Sequence, residues 1–303
     1  MSAKADSRKT ILLALGANFA IFATKLAAAV VTGSGSMAAE AVHSLADCGN
    51  QGLLLIGMKR VKKKADAQHP LGRGMEIYFW SFLVALLLFL VGGVYSVYEG
   101  VHKVQNQEPL HWPWLAVGVL AFGFVAESFS MWGCMREVNK ARAPGQTLWR
   151  WFIESRQSEL IVVFGEDLAA LLGLAFALAA ILMTMATGNP LFDAAGSIAI
   201  GVLLCLIAIF VARKCAALLI GQSVEPRVHD AIVDFLNAQP EVDRVFNLIA
   251  MQLGPDVMVS IKAEMRHDLS AAGLIQAINA VEHALKARFP EIRWSFFEPD
   301  AAD

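Results

Sequence analysis

The chain has few charged residues. They make up 17% of its 303 positions, whereas 56% of the positions are hydrophobic. A soluble domain of this length is normally much more polar. The net charge of −2 does not suggest a nucleic-acid-binding protein. The four cysteines lie far apart and form no C-x-x-C pair, so we expect small buried side chains rather than disulfides or a thiolate site.

Motifs for covalent chemistry are also missing. Nothing in the sequence resembles a nucleophile beside its base or a glycine-rich phosphate-binding loop. We therefore predict that the protein is not an enzyme, that it uses no organic cofactor, and that any transport is driven by an ion gradient. Glu127 has no assigned role at this stage: a proton path and a pair with another helix both stay open.

Long apolar runs dominate the first 220 residues. A membrane-spanning helix needs about 20 mostly apolar residues. Six segments satisfy this requirement and predict an all-α transmembrane domain. They cover about 10–32, 37–58, 77–101, 112–135, 158–186 and 191–220.

Basic residues lie on one side of this predicted bundle. The opposite side carries Lys103 and little else. Because loops rich in Lys and Arg stay in the cytoplasm, and because the helix count is even, we expect both termini to be cytoplasmic. The basic loops also suit a bacterial inner membrane. They contain Lys59 to Lys64, Arg136 to Arg156, Arg213 and Lys214.

The pattern changes after residues 225–230, where amphipathic and alternating segments replace the apolar runs. Residues 256–265, DVMVSIKAEM, place a hydrophobic side chain at every second position, which is typical of a half-buried strand. The element order predicted for the tail is α-β-β-α-β, a small α+β domain. We place the domain boundary between residues 1–221 and 222–303.

The second apolar segment carries a polar stripe. Glu40, His43, Asp47 and Asn50 are spaced three or four residues apart and therefore share one helical face. An aspartate at bilayer depth costs about 2.5–3.5 kcal/mol on insertion scales, so this face should point into the bundle and meet a partner.

The fifth segment offers that partner, because Glu166 and Asp167 interrupt an otherwise apolar run. Two carboxylates with no basic residue nearby require a shared proton or a cation. His43, Asp47 and Asp167 would form a nitrogen-and-oxygen set suited to a divalent metal such as Zn²⁺. The alternative is that these groups are hydrogen-bonding contacts between helices.

Four stretches of the sequence carry a family resemblance. HSLAD at 43–47 and QHPLGRGMEI at 68–77, together with LFDAAGSIAIG at 191–201 and LLIGQSVEP at 218–226, resemble the cation diffusion facilitator family. This resemblance implies proton-coupled export of zinc or similar ions by six helices, with a metallochaperone-like cytosolic domain. The adjacent Glu166 and Asp167 further resemble the branch that includes the animal mitochondrial zinc transporter.

The resemblance also implies positions for the transport site. The second-helix pair falls on His43 and Asp47, and the fifth-helix pair falls on Val163 and Asp167. Valine cannot bind metal, so Glu166 or water would have to supply the fourth ligand.

Two further metal sites are common in the family. The matching loop positions here are Asp66, His69 and Arg73, and the arginine argues against tight binding, although Asp66 and His69 could bind transiently. In the tail, Lys262 and Phe296 stand at positions of the family's zinc ligands. We therefore expect a dimerisation domain without structural metal and a homodimeric protein.

These observations together predict proton-coupled export of divalent cations from the cytoplasm, with Zn²⁺ as the transported substrate. The expected partners are the metal ion, protons and membrane lipid. Two alternatives remain open: a cargo of manganese, iron, cobalt or cadmium, and a membrane scaffold or metal sensor that does not transport.

Overall fold

The computed structural model describes residues 7–32, 35–106, 112–266 and 270–302, and the side chains of residues 29, 32, 35–40, 42 and 43 lie outside this description. The chain forms two units. The helical unit comprises Met1–Arg60, Ile77–Leu148 and Ser158–Ala216. The sheet unit comprises Val61–Glu76, Trp149–Gln157 and Ala217–Asp303.

Long helices account for nearly all of the helical unit. A π-helical segment at Leu88–Val94 joins α3 to α4, so that these three pieces form one continuous rod. The short α6 belongs mainly to the sheet unit. In chain order the helices are α1 (Ser7–Thr32), α2 (Gly35–Val61), α3 (Glu76–Leu87), α4 (Tyr95–Asn106), α5 (Pro113–Ala141), α6 (Leu148–Glu154), α7 (Ser158–Thr187) and α8 (Leu191–Ile220).

Within the described residues, five helical stretches are long and apolar enough to cross a membrane. They are α1, the continuous rod from α3 to α4, α5, α7 and α8. The 27-residue α2 is long enough to cross as well, but its polar stripe makes it less apolar than the others. The predicted architecture, apolar helices followed by a small α+β domain, is confirmed.

Helices α1, α5 and α7 pack against one another. On α5 the buried stripe runs through Gly123, Glu127, Ser130 and Cys134, at spacings of one helical turn. On α7 the first half is buried almost all round, from Leu160 to Asp167. Polar groups of both helices therefore lie inside the packed bundle.

Helix α8 approaches α4 closely at Gly201. A Cβ atom at this position would lie 2.6 Å from the backbone nitrogen of Val97. The stretch 191–201 is rich in small residues because a larger side chain would separate the two helices.

A three-stranded sheet forms the core of the sheet unit, with strand order β1-β2-β3. Strands β1 and β2 form an antiparallel hairpin, whereas β3 pairs in parallel with β2, with α10 as the crossover. The elements are α9 (Pro226–Asn237), β1 (Val242–Leu253), β2 (Asp256–Met265), α10 (Ala271–Arg288) and β3 (Ile292–Pro299).

The alternation predicted for residues 256–265 is confirmed, because every second residue of β2 is buried. Val259 and Ile261 lie in one core with Ile232 of α9 and Val281 and Leu285 of α10. The hydroxyl of Ser270 accepts a hydrogen bond from the backbone N–H of Gly273 (3.2 Å) and caps the start of α10.

The loop before α3 touches the β1–β2 turn within the same unit. A Cβ atom at Gly74 would overlap the carbonyl oxygen of Leu253, and one at Gly254 would overlap that of Gly74. The last glycine of HPLGRG is thus explained by contact between two backbones.

Candidate metal centre

The polar stripe of α2 is only partly described. Asn50 and Gln51 are buried, with 3% and 0% exposure, and Asp47 is half-buried. The side chains of Glu40 and His43 lie outside the described part, so the predicted role of His43 stays a prediction. The described half of the stripe does face the protein interior, as its spacing indicates.

Glu166 of α7 binds α2 through both of its carboxylate oxygens. The amide nitrogen Nδ2 of Asn50 donates to Oε1 at 3.2 Å, and Nε2 of Gln51 donates to Oε2 at 2.6 Å. The carbonyl oxygen of Gln51 is buried and has no hydrogen-bond partner among the described residues. Glu166, Asn50 and Gln51 form what we call the α2–α7 clasp, which fixes α2 against α7.

Asp167 lies next to Glu166 but faces a different helix. It is 2% exposed, and the hydroxyl of Ser130 on α5 lies 3.2 and 3.1 Å from its two oxygens and donates to the carboxylate. Val163, one turn earlier on α7, is fully buried and apolar. Asp167 is therefore a positioned acceptor deep inside the bundle.

Asp47 lies at the wall of a cavity of about 310 Å³ between α2 and the π-helical segment. The cavity walls are mostly apolar, so Asp47 and Asn50 supply its polar groups. A π-helical turn inside an α-helix often marks a functional position. The cavity is lined by Ala46, Asp47, Gly49, Asn50, Leu53, Leu87, Leu88, Val91 and Gly92.

Glu127 is a third buried carboxylate, with 5% exposure, on the inner stripe of α5. Its carboxyl group interacts electrostatically with the charges of Asp167, Asp47 and Lys25. Ser130 lies three residues further along the same face and contacts Asp167 directly. Glu127 therefore belongs electrostatically to the same region as the predicted ligands.

These acidic groups do not form a ready-made cluster. Among the described side chains, no three His, Cys, Asp or Glu residues lie close enough together to hold a metal ion. Asp47, Glu166 and Asp167 do interact electrostatically. The structure thus brings the predicted carboxylates into one region, and the complete ligand set stays a prediction.

The predicted loop site at Asp66 and His69 contains its own cation. Arg73 lies between two carboxylates, with Nη2 3.4 Å from Asp66 Oδ2 and Nη1 3.1 Å from Glu76 Oε1. The backbone N–H of His69 donates to Asp66 and, with the His69 ring and Arg73, lowers the pKa of Asp66 below its ordinary value. The Asp66 carboxylate is already well supplied with donors and positive charge.

The sheet unit contains an ion pair at Lys262, one of the positions at which the family resemblance implies a zinc ligand. Lys262 Nζ lies 3.1 Å from Asp300 Oδ2, and this hydrogen bond lowers the pKa of Asp300. Lys262 also stands beside Glu298 in the register of the parallel strands β2 and β3. A lysine cannot replace a metal ligand, but its charge balances the acidic groups around it.

Sequence reasoning missed Ser130 as a partner of Asp167. A signal was present, because Glu127 and Ser130 are polar residues three positions apart in an apolar segment and so share a face. Asn50 belongs to the predicted polar stripe, and the acceptor that it shares with Gln51, Glu166, was expected as a metal ligand.

The chain belongs to the cation efflux family, since residues 11–220 match the family's cation efflux transmembrane domain. It is therefore an integral membrane protein from a family of transporters.

Individual relatives support the same family. The chain is 33% identical over 261 residues to the "Proton-coupled zinc antiporter SLC30A9, mitochondrial" of Xenopus laevis, a match of 86% of this chain and 46% of that protein. It is 31% identical over 250 residues to "Metal tolerance protein C4" of Arabidopsis thaliana, covering 82% and 55% of the two chains. "Cation-efflux pump FieF" of Cronobacter sakazakii is 24% identical over 265 residues, covering 86% and 81%. The chain thus spans about half the length of the first two relatives.

Proposed function

We propose that this protein exports divalent metal cations, with zinc as the main cargo, from the cytoplasm in exchange for protons. The proposed ligands are His43 and Asp47 on α2 and Asp167 on α7. Glu166 assists, because a carboxylate keeps further lone pairs after accepting the two amide hydrogen bonds of the α2–α7 clasp.

One observation carries the proposal: Asp167 is a buried carboxylate, held by Ser130, inside a bundle of helices long enough to cross a membrane. Ionisable groups at such depth are costly and mark ion or proton pathways. Membership of the cation efflux family indicates which kind of ion passes.

Proton exchange follows from the chemistry of the ligands. A metal ion binds neutral imidazole and ionised carboxylates, so binding displaces protons and protonation releases the metal. A site of this kind that opens alternately to the two sides of the membrane exchanges metal ions for protons. The relative described as a proton-coupled zinc antiporter supports this coupling.

We place the protein in a bacterial inner membrane with both termini in the cytoplasm. The charge asymmetry of the loops supports this orientation, and the match to a bacterial cation-efflux pump supports the membrane. We also propose a homodimer in which the sheet unit pairs with a second copy, as the family resemblance implies.

Proteoliposomes with a zinc-sensitive dye inside test the function. With an acidic interior, the wild type should take up added Zn²⁺, and an ionophore that removes the proton gradient should slow this uptake at least several-fold. Asp167→Ala should abolish uptake, because the carboxylate is lost.

Asp243→Asn serves as the control, since Asp243 is exposed in the sheet unit. It should transport as the wild type does. Wild-type-like uptake by Asp167→Ala, or uptake that ignores the proton gradient, would reject the proposal.

The second candidate cargo is a harder ion such as Mn²⁺, Fe²⁺ or Co²⁺, or the softer Cd²⁺. Val163 favours the harder ions of this group, because it replaces a potential nitrogen ligand and leaves an oxygen-rich set. The same vesicles, loaded with a dye for each metal, distinguish the two cargoes. A zinc uptake rate below the manganese uptake rate would assign manganese as the cargo.

A further inference from the structure

Glu127 is a buried carboxylate that the transport site described so far does not use. Its exposure is 5%, and it lies on the inner stripe of α5 rather than on α2 or α7. No hydrogen bond or ion pair joins its carboxylate to any other residue in the described part of the chain. A buried carboxylate without a donor is unfavourable unless a cation or a proton compensates it.

The geometry of α5 directs Glu127 toward the transport site. Glu127 and Ser130 are three residues apart, so they lie on the same face about one turn from each other. The Ser130 hydroxyl contacts Asp167 of α7 directly. The charge of Asp47 on α2 acts on Glu127 as well, so Glu127 is near both helices that carry the proposed ligands.

The neighbouring carboxylates differ in the hydrogen bonds that they accept. Glu166 accepts one amide hydrogen bond on each oxygen, so a metal ion would share it with the α2–α7 clasp or break the clasp. Glu127 has no such commitment to the described residues. Val163, one turn before Asp167 on the same face of α7, supplies no ligand.

We propose that Glu127 is a ligand of the transported cation and takes the place that Val163 leaves open. Glu127 of α5 then joins the ligands already proposed on α2 and α7, so that the metal set comes from three helices. This inference rests on the proposed function, because it adds a residue to the same site.

Electrostatics explains why these three groups need not form a cluster by themselves. Like charges repel one another, so the carboxylates of Asp47, Glu127 and Asp167 have no reason to converge alone. A divalent cation attracts all three carboxylates and so brings them together. Lys25 of α1 also acts on Glu127, and its single positive charge offsets part of the repulsion.

Metal binding to the purified full-length protein in detergent tests the ligand role, with ZnCl₂ and MnCl₂ as titrants in a calorimeter. Glu127→Gln should weaken Zn²⁺ binding about tenfold or more, the range expected when a group that supports a metal site is lost. Glu137→Gln is the matched control, because Glu137 lies further along the same buried stripe and pairs with Lys140. It should bind Zn²⁺ as the wild type does.

Glu127→His provides a readout that a structural role would not change. Imidazole favours zinc over manganese, so the ratio of the two affinities should rise several-fold toward zinc. If Glu127→Gln does not fold, this ratio alone decides the question.

Three results would overturn the inference. They are an unchanged zinc affinity in Glu127→Gln, an unchanged metal ratio in Glu127→His, and a loss of vesicle transport in Glu127→Gln with normal metal binding. The last result would make Glu127 a proton or gating residue. Failure of the wild type to transport would instead reject the proposed function, which the binding experiment does not measure.

Discussion

Ser130 fixes Asp167 through a hydroxyl that lies within hydrogen-bond distance of both carboxylate oxygens. Sequence reasoning identified Asp167 from its position in an apolar helix. The spacing of Glu127 and Ser130 indicates a shared polar face on α5, but it does not identify Asp167, 37 positions away, as the partner. Tertiary packing of α5 against α7 creates this pair.

Removal of the hydroxyl should impair metal binding without unfolding the protein. We expect Ser130→Ala to lower zinc affinity roughly three- to tenfold, because a hydrogen bond to a charged group contributes about 1.5–3 kcal/mol and water can replace part of it. Initial rates of vesicle uptake against zinc concentration measure this change.

Ser128→Ala is a suitable control for that experiment. Ser128 is exposed on the same helix, and its hydroxyl donates to the carbonyl of Phe124 within α5. It should transport as the wild type does. Equal rates for the two serine variants would show that Asp167 does not depend on Ser130.

The long helices and the strands were predictable at the level of elements, because apolar length and alternation report burial directly. The β2 pattern at residues 256–265 is the best example. The π-helical segment at Leu88–Val94 and the short α6 were not predicted. The first lies inside a predicted apolar helix, and the second lies in the connection between two predicted helices.

The close approach of α8 and α4 gives a prediction at this scale. Gly201→Ala should destabilise the helical unit by about 1–3 kcal/mol, because the added Cβ meets the backbone nitrogen of Val97 at 2.6 Å and backbone cannot move easily. Thermal unfolding in detergent measures this loss.

Gly16→Ala is the comparison, since a Cβ on Gly16 in α1 meets nothing within 4 Å. Alanine there should leave the unfolding midpoint unchanged or raise it. A Gly201→Ala variant as stable as Gly16→Ala would contradict the predicted packing.

The loop before α3 gives a pH prediction. The backbone N–H of His69 holds the pKa of Asp66 below its ordinary value in the folded protein. A lowered folded pKa means that the stabilisation is present above the unfolded pKa, about 3.9, and is lost as pH falls through the folded pKa. The difference in unfolding midpoint between wild type and Asp66→Asn should therefore stay constant from about pH 8 to 5 and shrink below about pH 4.

The same difference in unfolding midpoint, measured at several salt concentrations and at acidic pH, checks this prediction. Asp66 is exposed, so the difference should be small and should decrease with added salt. A difference that stays the same from pH 5 down to pH 3 would contradict the assignment to the Asp66 carboxylate.

For the whole molecule, the sequence allowed the order of a helical membrane domain and a small α+β domain to be predicted. It also placed Asp47 and Asp167 in one region, because polar residues in two apolar segments must avoid lipid. The partners of each carboxylate could not be predicted, since they depend on how α2, α5 and α7 pack. The Glu166 clasp to Asn50 and Gln51 is the clearest case.

In the proposed transport mechanism, one cation lies between helices that are distant in sequence. A crystal of the full chain soaked in zinc, with anomalous data collected at the zinc edge, locates that ion directly. We predict a peak about 2.0–2.2 Å from carboxylate oxygens of both Asp47 and Asp167. A well-ordered map with those two side chains turned apart and no peak between them would contradict it.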